Sequence, residues 1–96
     1  MENHSTIELI EKEQVSNYSF PADDVLTDKD QIKIRLASLE KAALLGNGYK
    51  GKVKIIFQTT EGLKAVETTV WQASEDNILL KGSTRIPIHA VVEVQI

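Results

Sequence analysis

Lys50, Lys52 and Lys54, set two residues apart, are the group in this sequence whose type and spacing best suit recognition chemistry. In an extended strand side chains alternate, so the three project from one face as a basic stripe. Tyr49 stands beside them, and a basic groove with an aromatic platform is how small barrels hold single-stranded nucleic acid. Lys64, Lys81 and Arg85 are available to extend the stripe. The plainer account of the same lysines is a solvated outer face that protects a sheet edge. Trp71 is expected in the core or under a helix. Catalytic groups are sparse. His4 and His89 are the two histidines, and neither stands in a recognisable relation to a serine or an acid. Asp23-Asp24 and Glu75-Asp76 fall in turn-forming stretches, where carboxylates cap backbone amides. Without cysteine there is no disulfide, thiolate metal site or cysteine nucleophile. A non-enzymatic protein with no metal and no small-molecule cofactor is expected.

Gly46–Gly51, GNGYKG, matches G-x-G-x-x-G letter for letter. A dinucleotide site needs a strand before that motif and a helix after it, so that a helix N-terminus faces the pyrophosphate. Here the order is reversed, and the glycines are assigned to a helix cap and a tight connection.

The elements that position these residues follow from periodicity. Ile32, Leu36, Leu39 and Ala43 recur at helical spacing, widened by Ala42 and Leu45, while Lys33, Arg35, Glu40 and Lys41 take other faces. Thr27 and Asp30 form a capping-box-like start, and Gly46 or Asn47 a left-handed stop, which predicts a helix over about 28–45. From Lys52 the period changes to two: Val53, Ile55 and Phe57 face one way, Lys52, Lys54 and Ile56 the other. After Thr60-Glu61-Gly62 a long strand, Leu63–Ala73, is expected to bend. Three short strands complete the chain: Ile78–Lys81, Arg85–Ile88 with Pro87 at an edge, and Val92–Ile96 after a tight turn at His89-Ala90-Val91. Upstream, Thr6–Val15 carries a broken alternation that fits a short strand or a docked arm. Tyr18 and Phe20 are expected to pin the loop that follows.

Charge divides the chain. Residues 1–30 hold eight acids and two bases, a net −6, whereas residues 31–96 carry +3. The predicted organisation is an acidic N-terminal arm, 1–26, and a helix-plus-barrel domain, 27–96. Hydrophobic and charged fractions of 42% and 26% are those of an ordinary globular domain. No stretch reads as a secretory signal or a membrane span, so a cytoplasmic protein without membrane association is expected.

A helix followed by five short strands, the last two joined by one tight turn, resembles the Sm-like proteins. The likeness extends to Val53-Lys54-Ile55-Ile56-Phe57, Glu61-Gly62-Leu63-Lys64, Ile78-Leu79-Leu80-Lys81 and His89-Ala90-Val91, which are similar to segments of the Hfq-type RNA chaperones. The resemblance covers about residues 28–96 and implies a mainly β fold with one N-terminal helix: an SH3-like, Sm-like five-stranded small barrel. For function it implies binding of RNA or single-stranded nucleic acid without catalysis, with His89 carried over beside Lys50, Lys52, Lys54 and Tyr49. The alternative is a protein-interaction or assembly module that self-associates through barrel edges, with Ile86, Ile88, Val92 and Val94 as the apolar edge. The departures are Pro87-Ile88 where the family has Tyr-Lys, Trp71-Gln72-Ala73-Ser74 where it has an aromatic-acidic corner, a helix without the family's early glutamine, and the acidic arm. Rho-binding antiterminators, also Sm-like and acidic, bind a protein instead of RNA; architecture and the arm are the likeness to them.

Overall fold

The computed structural model of the chain describes residues 7–48 and 51–96. The chain runs β1 (Glu8–Leu9), a 3-10 helix (Lys12–Asn17), α1 (Lys29–Gly48), β2 (Val53–Thr59), β3 (Gly62–Thr68), β4 (Val70–Ala73), β5 (Asn77–Leu80), β6 (Thr84–Pro87), a 3-10 turn (Ile88–Ala90) and β7 (Val91–Gln95). It is mainly β with one long helix. The strands form two sheets, β1-β3-β2-β7 and β4-β5-β6. All pairs are antiparallel except β1 with β3, which is parallel.

The long strand expected over Leu63–Ala73 is divided. β3 ends at Thr68, and after Thr69 the chain enters the second sheet as β4. The Thr69 carbonyl accepts from the Lys81 amide at 2.9 Å, which ties the step between sheets to the turn after β5. Val70 pairs with Leu80 and Gln72 with Leu79, so Trp71 is the extra residue of a bulge. A bulge re-aims its side chain. Trp71 is accordingly 41% exposed instead of lying in the core or under the helix.

Alternation along the strands fills the core. Val53, Ile55 and Phe57 of β2, Val66 of β3, Val70 of β4, Ile78 and Leu80 of β5, Ile86 of β6 and Val91 of β7 are all buried in one cluster. Two residues of the acidic arm, Ile10 and Val15, belong to the same cluster, and Tyr18 and Phe20 pack against it. Phe20 meets Phe57 with ring centroids 6.0 Å apart. The turns carry the chemistry their sequences promise. Thr59 Oγ1 accepts from the Glu61 amide and donates to the Gly62 carbonyl, closing the β2–β3 turn. Between β5 and β6, Leu80 pairs with Thr84 around a three-residue loop in which Gly82 and Ser83 both have positive φ, 90° and 69°, and the Ser83 amide donates to the Leu80 carbonyl at 3.0 Å.

The helix departs most from expectation. Asp28, one residue after Thr27, caps it: its Oδ1 accepts from the amides of Asp30 at 2.8 Å and Gln31 at 3.4 Å. At the other end the helix continues to Gly48. Gly46 is a helical residue and not the left-handed cap. A Cβ at Gly46 would overlap the Val70 carbonyl oxygen and crowd Thr69 Cγ2 at 2.9 Å, so glycine here permits close approach of α1 to β4. The buried positions are Arg35, Leu39, Ala42 and Gly46, with Ile34, Leu36 and Leu44 exposed. Apolar residues are spread around this helix, so hydropathy alone did not single out the inward side.

Candidate functional site

Three surfaces hold the residues that the sequence singles out. The first is a fastening point where arm, helix and β7 meet. His89 Nε2 lies 2.6 Å from the Pro21 carbonyl oxygen, to which it donates, and the His89 carbonyl accepts from the Val25 amide at 2.9 Å. The residue carried over from the RNA-binding resemblance therefore holds the arm's loop, half-buried. Beside it Arg35, 5% exposed, spans the same junction. Its Nη1 donates to Asp24 Oδ1 at 2.8 Å and to the Val91 carbonyl at 3.1 Å, and its Nη2 donates to Asp24 Oδ2 at 2.7 Å. Hydrogen bonding from Arg35 holds the Asp24 carboxyl below its ordinary range, against the opposing effect of burial. Nε of Arg35 is buried without a hydrogen-bond partner among the described residues. Periodicity had placed Arg35 on an outer face. The signal in the sequence was its spacing from Leu39 and Ala42, four and seven residues on, which puts it on their side of the helix.

The second surface is basic. Tyr49 and Lys50 lie outside the described residues, as does His4. Lys52 is exposed just before β2. Lys54 is half-buried on β2, directly across from Glu67 of β3 and Gln95 of β7. Lys64 is drawn to the arm instead. Its Nζ donates to Glu8 Oε1 at 2.6 Å and lies 5.2 Å from the centroid of the Tyr18 ring. That carboxylate raises the Lys64 ammonium above the ordinary lysine value. Arg85 stands apart, beside Gln72 and Leu79. Lys81 and Lys52 do share one groove, and Lys12 of the arm joins them. The lysines expected to form one continuous stripe are thus partly separated by acids.

The third surface is the edge of β7. This strand pairs with β2 alone, and beyond Val91 its backbone shows no bond to any element other than β2 among the described residues. Ile56 pairs with Glu93 and Phe57 with Val91, which leaves Val92 as a bulge on the edge. Between β7 and α1 runs a groove of about 350 Å³ lined by Ile34, Ser38, Val92 and Val94, among others. Ile34 is 64% exposed and Ile96 57%. Ile86 and Ile88, expected at the same edge, are placed otherwise: both side chains lie in the core, at 0% and 8% exposure. Ile34 was missed because it sits on the helix, far in sequence from the strand it lines.

On the opposite flank of α1 a cavity of about 440 Å³ opens between Leu36 and the β4–β5 turn, with Glu40 and Glu75 among its lining. Among the described residues no three histidine, aspartate or glutamate side chains are grouped to hold a metal ion. No described helix is long and apolar enough to cross a membrane. Compared with protein-family models, curated proteins and solved structures, the chain matches none of them.

Proposed function

We propose that this chain is a non-catalytic assembly and binding module of Sm-like build that associates with copies of itself through the edge of β7. The observation that carries this is the unpaired β7 edge lying beside a groove to which Ile34, Val92 and Val94 contribute apolar side chains. An open strand edge offers a row of backbone donors and acceptors, and exposed apolar side chains next to it supply the burial that makes pairing favourable. The Sm-like reading is supported by element order. If β3 and β4 are counted as one bent strand, five strands follow the helix, and a single 3-10 turn joins the last two. Size-exclusion chromatography with light scattering tests the proposal. The expected result is a multimer that Ile34→Glu or Val94→Glu dissolves. A monomer at high protein concentration would overturn it.

Single-stranded nucleic acid is the second candidate partner, favoured by exposed Lys52 just before β2, by Lys54 on β2 and by the +3 charge of residues 31–96. Neighbouring carboxylates weigh against it, because Glu8 of the arm already pairs with Lys64 and Glu67 of β3 stands across from Lys54. A filter-binding series with uridine-rich and adenine-rich oligonucleotides is expected to give salt-dependent affinity that Lys52→Glu abolishes. Failure to bind at low salt counts against this partner.

A further inference from the structure

The arm's 3-10 helix brings Lys12 across the turn between β5 and β6, where Gly82 has no side chain. A Cβ at Gly82 would lie 3.1 Å from Lys12 Cε and 3.9 Å from Cδ, so the glycine makes room for the lysine stem. Lys12 thereby enters a groove of about 310 Å³ that Lys52 and Lys81 also line. The three come from the arm, the approach to β2 and the turn after β5. The remaining lining includes Thr68 and Thr69, both buried, at the step from β3 to β4. The bond from the Lys81 amide to the Thr69 carbonyl holds the turn against that step.

The charges are unevenly matched. Lys12 Nζ pairs with Glu13 at 3.2 Å, but Glu13 is 70% exposed and such surface pairs are weak and readily exchanged. Lys52 and Lys81 have no carboxylate within 4 Å among the described residues. Glu11 and Glu67 also line the groove, so its lining side chains sum to one positive charge, and exchange of Lys12 from Glu13 to a ligand is what makes that charge available. Three lysines and two glutamates line one concavity, and an anion held among the lysines offsets their mutual repulsion. Lysine binds phosphate as a point charge, so ammonium groups arriving from several directions suit a tetrahedral, multiply charged oxyanion. The volume is at the small end of ligand sites, enough for a phosphate with a sugar or base attached.

We infer that the groove formed by Lys12, Lys52 and Lys81 is a binding site for a phosphate-bearing ligand of nucleotide size. The groove shares no lining residue with the one beside β7. Lys12 is supplied by the arm, so the acidic segment completes the site instead of only shielding it. A free nucleotide and the terminal phosphate of an oligonucleotide share the required chemistry.

Calorimetric titration of the full chain separates these sources, using pyrophosphate, adenosine monophosphate, and a uridine hexanucleotide with and without a 5′-phosphate. Saturable binding is expected for at least one phosphate-bearing probe, weakened about tenfold by Lys12→Gln and by Lys81→Gln. Lys33→Gln, a control on the exposed face of α1, is expected to change nothing. Binding of the hexanucleotide that requires its 5′-phosphate and Lys12 supports the site with nucleic acid as the source. Absence of saturable binding for every probe overturns the inference. So does binding that Lys12→Gln and Lys81→Gln leave unchanged, whichever probe is bound. Thermal melts matching the unsubstituted chain are expected for both variants, because both side chains act at the surface, and Lys52→Gln provides an independent third variant.

Discussion

Arg35 illustrates how one buried cation is made tolerable and what it accomplishes. Its guanidinium is taken out of water, and the bidentate bond to Asp24 together with the Val91 carbonyl replaces much of the lost solvation. That one side chain joins the helix to Asp24, eleven residues before it in the loop, and to β7, 56 residues on. Asp24→Asn, which leaves Arg35 buried without its counter-charge, is expected to cost about 2–3 kcal/mol in urea-melt stability. The pH dependence has a definite sign. Arg35 lowers the folded-state pKa of Asp24 below its ordinary 3.8. The resulting stabilisation is complete above that value and is lost as pH falls through the lowered folded pKa. Acid melts of the chain and of Asp24→Asn are therefore expected to differ at neutral pH and to converge in strong acid. Gly46 offers a second test, with a sign opposite to the usual one. Gly→Ala inside a helix ordinarily stabilises by about 1 kcal/mol. Gly46→Ala should instead destabilise by about 1–3 kcal/mol, because the added methyl overlaps the Val70 carbonyl and must push α1 off β4.

Among the elements, the arm changes most in meaning once it is seen in place. Its composition describes an acidic appendage, yet its 3-10 helix buries Val15 to 1% exposure and packs against β6. Val15→Ala is expected to cost about 2 kcal/mol, measured by thermal or urea melts, which is the effect of a core truncation and not of a tail substitution. The helix works in a similar cross-element way. It packs on β4 through Leu39, Ala42 and Gly46, and it flanks β7 with Ile34 left exposed beside the groove. An exposed isoleucine by itself needs no explanation, but one beside an unpaired strand edge suits a partner's strand.

For the molecule as a whole, a Cα radius of gyration of 12.5 Å is close to the roughly 13 Å expected of a single domain of about 100 residues. Arm, helix and both sheets contribute side chains to one buried cluster, and mutations in any of them are expected to shift the same unfolding transition. The proposed self-association adds a concentration-dependent contribution to that transition. Melts over a hundredfold range of protein concentration should show a rising midpoint for the unsubstituted chain and a constant one for Ile34→Glu. A constant midpoint for both would argue against assembly.

Much of the β architecture was legible in residue order. Alternation from Val53 to Phe57, the turn at Thr60-Glu61-Gly62 and the break at Gly82 all report local backbone preferences, which the fold leaves nearly unchanged. The helix's existence was legible for the same reason, through its 3.6-residue recurrence. Its inward side was not, because Ile34, Leu36, Leu39 and Leu44 lie in different directions and only contact with β4 and β7 decides among them. The candidate surfaces divide in the same way. Lys52, Lys81, Val92 and Val94 were visible as residues, while Lys12, Arg35 and Ile34 gained their roles from elements far away in sequence. Local chemistry determined which strands and turns form. Tertiary packing decided that His89 and Arg35 fasten the arm, that Ile86 and Ile88 fill the core, and that Lys12 meets Lys52 and Lys81, because each of these depends on which distant segment arrives opposite.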